Sequence, residues 1–176
     1  MRPLLIATLL FLGACATQPQ PGMPATVPGV DLARYTGTWY EILRLPNSFQ
    51  DGNGRICENT TAIYTARADG TIGVTNRCVS PEGERIATGR AYAVEGSDNA
   101  RLRVSFFWPF YGDYWVIGLD PEYRWALVGA PGRNFLWLLS RTPTISAADE
   151  ATALAIARAQ GFDVSALRRT RQNEVR

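Results

Sequence analysis

The sequence predicts an all-β domain of short antiparallel strands followed by one helix. Three observations carry this. From Gly37 to Arg141, eight short runs of alternating apolar and polar residues follow one another at roughly thirteen residues per strand and turn, the even spacing of antiparallel barrels and sandwiches. Turn-forming pairs such as Asp69-Gly70 separate the runs. The one clear helical signature stands after Arg141. At 176 residues the chain is one domain by size, with room for one core.

Strands are expected near 37–44, 58–67, 71–79, 85–94, 100–107, 113–120, 124–130 and 135–140. The clearest is "RLRVSFF", where Leu102, Val104 and Phe106 face one way and Arg101, Arg103 and Ser105 the other. By the same alternation Tyr64 shares a face with Thr60 and Ala62, Val74 with Ile72 and Asn76, and Tyr114 with Val116 and Gly118. The helix lies in "SAADEATALAIARAQGF", with Ser146 as N-cap, Asp149 as its acidic partner and Gly161 as the stop. Leu154 and Ile156 point in different directions and alanine fills the rest, so the helix is expected to lie against the outside of the sheet. The residues beyond it read as a solvated basic end without a role, residues 171–176 forming a polar tail. Eight strands hide their edges either by closing into a barrel or by stacking as two sheets, and periodicity does not choose.

Composition narrows the chemistry. A formal net charge of +2 gives no electrostatic footprint for nucleic acid. Histidine is absent, which removes the commonest general base and metal ligand, and no phosphate loop, dinucleotide fingerprint, metal-spaced cluster or nucleophile elbow occurs. No cofactor or metal is expected. Arg2 and the apolar run from Pro3 to Leu12 read as an export signal over residues 1–14, too short to span a bilayer. The run ends in "LGAC", which resembles the lipobox of bacterial lipoproteins and implies acylation of Cys15; Ala16 behind it fits delivery to the outer membrane. Residues 15–29 read as the acylated cysteine and a proline-rich tether. Cys57 and Cys78 are expected to pair, as exported cysteines do, across a hairpin turning at Asp69-Gly70. Perfect register about that turn sets Cys78 opposite Thr61, so a bulge or a crossing beyond the strand end is required.

Specific residues then choose the architecture. "GTWYEI" at 37–42 is similar to the G-x-W motif of the lipocalins, "VIGLD" with "PEYRWALV" stands in the place of their second motif, and "LWLLSRTPTIS" at 136–146 resembles the third. Leu119, Asp120 and Pro121 stand where the second motif often has threonine, aspartate and tyrosine. The resemblance covers residues 30–170 and is greatest to the bacterial outer-membrane and apolipoprotein D branch. It implies an eight-stranded up-and-down barrel with one helix outside. It also implies structural roles for Gly37, Trp39 and Arg141, with the Arg141 guanidinium packed over Trp39 to shut the floor. The phase it sets implies a cavity lined by Tyr64, Val74, Val104, Phe106, Tyr114, Val116, Phe135, Trp137 and Leu139, a surface suited to an apolar ligand whose head group stays at the mouth. "WPFYGDY" at 108–114 is expected by the rim, facing a membrane or partner or capping a turn. Glu41 shares the inward phase of Trp39; it can face water near the closed end, pair with an arginine or meet a ligand head group.

The implied function is non-enzymatic: storage or transport of a fatty acid or lysophospholipid by a lipid-anchored protein on the periplasmic face of the outer membrane, in envelope maintenance or stress. The oligomeric state is left open. The competing readings are an enzyme acting on a lipophilic substrate through Glu41 or Asp113, and an envelope interaction protein whose barrel is full.

Overall fold

A computed structural model describes residues 22–173. Cys15, the signal segment, the first part of the tether and residues 174–176 lie outside the described residues. Among those described, nine strands form one sheet: β1 (Gly37–Arg44), β2 (Glu58–Ala66), β3 (Ile72–Ser80), β4 (Gly83–Ala93), β5 (Arg101–Phe107), β6 (Phe110–Leu119), β7 (Trp125–Gly129), β8 (Leu136–Ser140) and β9 (Arg168–Arg169). Strands β1 to β8 run antiparallel in sequence order, and β1 pairs with both β2 and β8. That closure selects the barrel over the sandwich. The connections 45–57, 81–82, 108–109 and 130–135 open at one end, and 67–71, 94–100 and 120–124 at the other.

Three α-helices accompany the strands among the described residues: α1 (Leu32–Tyr35), α2 (Ser48–Asp51) and α3 (Ala147–Ala159). Ser146 caps α3 by accepting the Asp149 N–H at 3.1 Å, and Gly161, at a φ of +81° that favours glycine, ends it. Its buried contact is made by Ala153 and Ala157, one turn apart, which is why no large apolar stripe marks that face. It packs outside β6 and β7 over Trp115, Ile117, Trp125 and Leu127.

Two bulges break the strict alternation on which the predicted phases rest. In β1, Glu41 faces Leu139 but Leu43 faces Leu138, so Ile42 is one residue extra and the phase inverts beyond it. Arg44, opposite Trp137, therefore turns into the barrel beside Glu41. In β6, Val116 faces Val128 but Gly118 faces Leu127, and the extra Ile117 turns Gly118 out toward α3. The expected shared face of Tyr114, Val116 and Gly118 thus fails at Gly118. A Cβ there would stand 3.3 Å from Ile156 Cδ1, which is why glycine lets the helix approach.

The β2–β3 turn differs from expectation by one residue. Arg67 N–H reaches Thr71 O and Gly70 N–H reaches Arg67 O, a three-residue loop with Gly70 at φ +78°. Arg77, not Cys78, therefore faces Thr61. A bulge between Glu58 and Thr61 supplies one residue of the required shift, and Cys57, just before β2, crosses over to form a disulfide with Cys78, the Cα atoms 5.3 Å apart.

Both ends of the domain are more ordered than the sequence suggests. From Gly22 the chain is already laid on the barrel: Val27 N–H bonds Val116 O at 2.9 Å, and Val30, buried, bonds Asp98 O at 2.8 Å. Residues 22–29, expected as part of a tether, thus lie against the barrel. The C-terminal segment is not a free solvated end. β9 extends the edge of β1 where β2 diverges, and the Gln172 side-chain amide donates to the carbonyls of Glu41 and Thr60, each at 2.8 Å.

Candidate functional site

The floor of the barrel forms from local sequence. Asp31 caps α1 through Ala33 and Arg34 N–H, and the turn that follows drops Trp39 into the closed end, where it is fully buried. Its indole N–H bonds Tyr35 O at 2.8 Å. The Arg141 guanidinium carbon lies 3.8 Å from the Trp39 ring centroid. Its N–H groups reach Thr38 O at 3.0 Å, Arg34 O at 2.5 Å and Tyr123 O at 3.4 Å, so the cation stacks and satisfies three carbonyls at once. Gly37 has φ +97°, and a Cβ there would stand 3.4 Å from Arg141 Nη1. Asp120, in the second motif, holds the neighbouring turn by accepting the backbone N–H groups of Glu122 and Arg124.

Above the floor lies a cavity of about 440 Å³. That volume falls in the range of small-ligand pockets, roughly 300–1,000 Å³. At its base three tyrosines converge: Tyr114 Oη lies 2.7 Å from Tyr35 Oη and 2.9 Å from Tyr64 Oη. Burial holds all three phenols neutral, raising Tyr35 and Tyr114 well above the ordinary value and pushing Tyr64 up to about 12. The base offers hydroxyls without charge. On the β2–β3 wall, Thr60 Oγ1 and Asn76 Oδ1 are buried without a hydrogen-bond partner among the described residues and are available to a ligand.

Toward the mouth, a buried polar network replaces the water-facing position open to Glu41. Glu41, 3% exposed, accepts Arg44 Nη1 at 2.7 Å and Gln50 Nε2 at 2.6 Å, and Thr170 Oγ1 also donates to it. Arg44, fully buried, donates through Nε to Asp51 Oδ2 at 3.0 Å and through Nη2 to Asp51 Oδ1 at 2.5 Å. Gln50 Oε1 accepts the Trp137 indole N–H at 3.0 Å, which fixes that ring as a wall of the cavity. Burial raises the Glu41 carboxyl above its ordinary value, and the Arg44 charge and hydrogen bonds offset part of that rise. For Asp51 burial pushes upward, but the bonds from Arg44 and the Asn47 N–H outweigh it and hold the carboxyl low. The arginine option for Glu41 is the one realised, and its carboxylate also borders the cavity.

The cavity wall includes Tyr64, Val74, Val104, Phe106, Tyr114, Trp137 and Leu139. Two expected lining residues stand elsewhere. Val116 has the inward phase but sits too deep, fully buried with Trp39 and Val128. Phe135 precedes β8 and stacks on Trp137 at 5.6 Å, beside Phe49, at the mouth. Unforeseen members include Arg77 and Arg85 on the β3–β4 wall and Phe49 and Gln50 on α2. The α2 pair carries a sequence signal: Asn47 followed three residues later by Gln50 is a capping pair, and Asn47 Oδ1 accepts Gln50 N–H at 3.0 Å while its Nδ2 donates to Gln50 Oε1 at 2.8 Å.

A closed eight-stranded barrel with a plugged floor, one mouth and a mostly apolar interior places the chain in the class of one-cavity β-barrels. The family model described as a lipocalin-like domain matches residues 30–172, and the chain belongs to the lipocalins. Outer membrane lipoprotein Blc of Escherichia coli strain K12 is 46% identical over 162 residues, covering 90% of this chain and 89% of that one. Apolipoprotein D of Mus musculus is 30% identical over 171 residues, covering 92% and 84%. Among solved structures, insecticyanin from the tobacco hornworm Manduca sexta matches with a TM-score of 0.69 over 85% of this chain and 84% of its own, at 17% identity, a likeness of fold.

Proposed function

We propose that this chain holds one small amphipathic lipid, a fatty acid or a lysophospholipid, in its barrel, and does so as a lipoprotein fastened through acyl groups on Cys15 to the periplasmic face of the outer membrane. The observation that carries this reading is the cavity of about 440 Å³, walled by aromatic and aliphatic side chains, with neutral hydroxyls at its base and Trp137 and Gln50 toward its mouth. An apolar tail fits downward and a polar head stays above. The cavity speaks against a filled barrel. The "LGAC" sequence and the name of the Escherichia coli relative support the location. Storage or transport of such a lipid fits a role in envelope maintenance or stress.

Binding is favoured over catalysis because the candidate reactive groups are engaged: Cys57 and Cys78 in the disulfide, Glu41 by Arg44, Thr170 and Gln50, and Asp113 by Arg103 at 3.2 Å. The test is titration of the chain from Ala16 onward with lysophospholipid and fatty acid, followed by tryptophan fluorescence. A saturable change with either is expected; no saturable change with both sinks the reading.

A further inference from the structure

Three large rings stand free at the tip of the β5–β6 hairpin. Phe107, Trp108 and Phe110 are 80, 74 and 73% exposed. Phe107 and Phe110 pair directly across the two-residue Trp108–Pro109 turn, so the rings form one patch of a kind that soluble surfaces rarely leave open. Phe106 joins them to the cavity, which it lines. The tip also projects. Trp115 faces Gly129, the last residue of β7, so residues 110–114 extend beyond that strand by about 17 Å at about 3.4 Å per residue.

The path of the N-terminal segment gives this patch a neighbour. Gly22 O accepts Arg133 Nη2 at 2.9 Å, and Arg133 lies in the 130–135 connection, which opens at the same end of the barrel as the hairpin tip. From Cys15 to Gly22 the seven intervening steps span no more than about 25 Å even fully extended. An acylated Cys15 therefore puts lipid within that distance of the mouth end.

We propose that the Phe107–Trp108–Pro109–Phe110 tip docks on a phospholipid bilayer and holds the barrel mouth against it; the direction of docking rests on the reading of Cys15 as an anchor. The chemistry fits that one partner. Tryptophan and phenylalanine side chains settle at the boundary of headgroups and acyl chains. Beside Trp108 a shallow groove runs down the outer wall; Arg90, in β4, lines it with a guanidinium that suits a lipid phosphate, while Arg67, which also lines it, belongs to a connection at the closed end. A mouth held in this way lets an amphiphile move between bilayer and cavity without crossing open water.

The test uses the chain from Ala16 onward, which lacks the anchor but contains the whole described barrel, floor and helix. It is sedimented with vesicles of phosphatidylethanolamine and phosphatidylglycerol, alongside a Phe107→Ser/Trp108→Ser/Phe110→Ser variant. The parent is expected to partition onto vesicles, and the variant to lose at least about 30-fold in partition coefficient, since three exposed rings carry the contact. The variant should keep the parent's melting temperature and its fluorescence titration with lysophospholipid. Brominated acyl chains should quench the parent more than a Trp108→Phe variant, which reads the position of the tip without altering the fold. A parent that does not partition, a triple variant that partitions equally, or self-association through these rings without vesicle binding overturns the proposal. Because the chain tested carries no anchor and the cavity is titrated separately, failure to dock leaves the Cys15 and cavity readings standing, and their failure leaves docking standing.

Discussion

Replacing Arg44 by methionine tests the buried network that braces the cavity. Methionine fills much of the same space but leaves Glu41, 3% exposed, facing the barrel without its cation, and removes both guanidinium bonds to Asp51. Breaking a buried ion pair from one side costs about 3–5 kcal/mol. For a domain of this size, each kcal/mol moves the melting temperature by about 2–4 °C, so a fall of about 6–20 °C is expected by calorimetry. The sign with pH follows from the groups involved. Burial already raises the Glu41 carboxyl, and without Arg44 it rises further; a folded-state pKa above the unfolded one means that stability is lost as the pH rises between the two. The deficit of the variant is therefore largest at neutral pH and shrinks on acidification. The parent moves the opposite way through Asp51, whose lowered carboxyl contributes stability above its ordinary pKa and loses it as the pH falls through the lowered one. Adding Glu41→Gln should recover much of the loss at neutral pH. A single variant within about 1 kcal/mol of the parent, or a deficit that does not change with pH, would refute the network as the brace of this wall.

Other substitutions separate structure from binding. Trp39→Ala removes a fully buried indole and the face on which Arg141 stacks; a loss of about 3–5 kcal/mol in denaturant titration is expected, a large share of the roughly 5–15 kcal/mol that holds an ordinary domain. Trp137→Ala removes a half-buried ring from the cavity wall, and should weaken lipid binding about tenfold in fluorescence titration while the melting temperature moves by only a few degrees; unchanged affinity would put the ligand elsewhere. Cys57→Ser with Cys78→Ser opens a link between residues 21 apart in sequence, and should cost about 3 kcal/mol through the freer unfolded chain. Thiol titration of the denatured, unreduced chain from Ala16 should find no free thiol.

What could be read from the sequence was governed by whether local pattern reports the geometry. Trp39 and Arg141, 102 residues apart in sequence, are joined by motif and stack in the structure; Val104 and Phe106 border the cavity on the face their alternation marks, and Trp137 on the face the motif implies. Alternation reports face but not depth, so it puts Val116 in the wall although the residue lies beneath it. It also fails at bulges, which leave no mark on composition. Ile42 turns Arg44 inward to meet Glu41, and Ile117 turns Gly118 outward to meet α3. Short ordered segments were the least visible: a two-residue strand has no period, so Arg168 and Arg169 read as tail, and with them Thr170, which bonds Glu41. The four-residue α2 is too short to show a period either, and only its capping pair marks Phe49 and Gln50 at the mouth.

The most direct test of the central claim is a native mass spectrum of the full-length protein freshly extracted from its own membrane in mild detergent. The expected result is a diacylated or triacylated mature chain beginning at Cys15 that carries one further amphipathic lipid, lost in Trp137→Ala under the same conditions. A barrel that arrives empty in every preparation, and stays empty after incubation with fatty acid and with lysophospholipid, would contradict it.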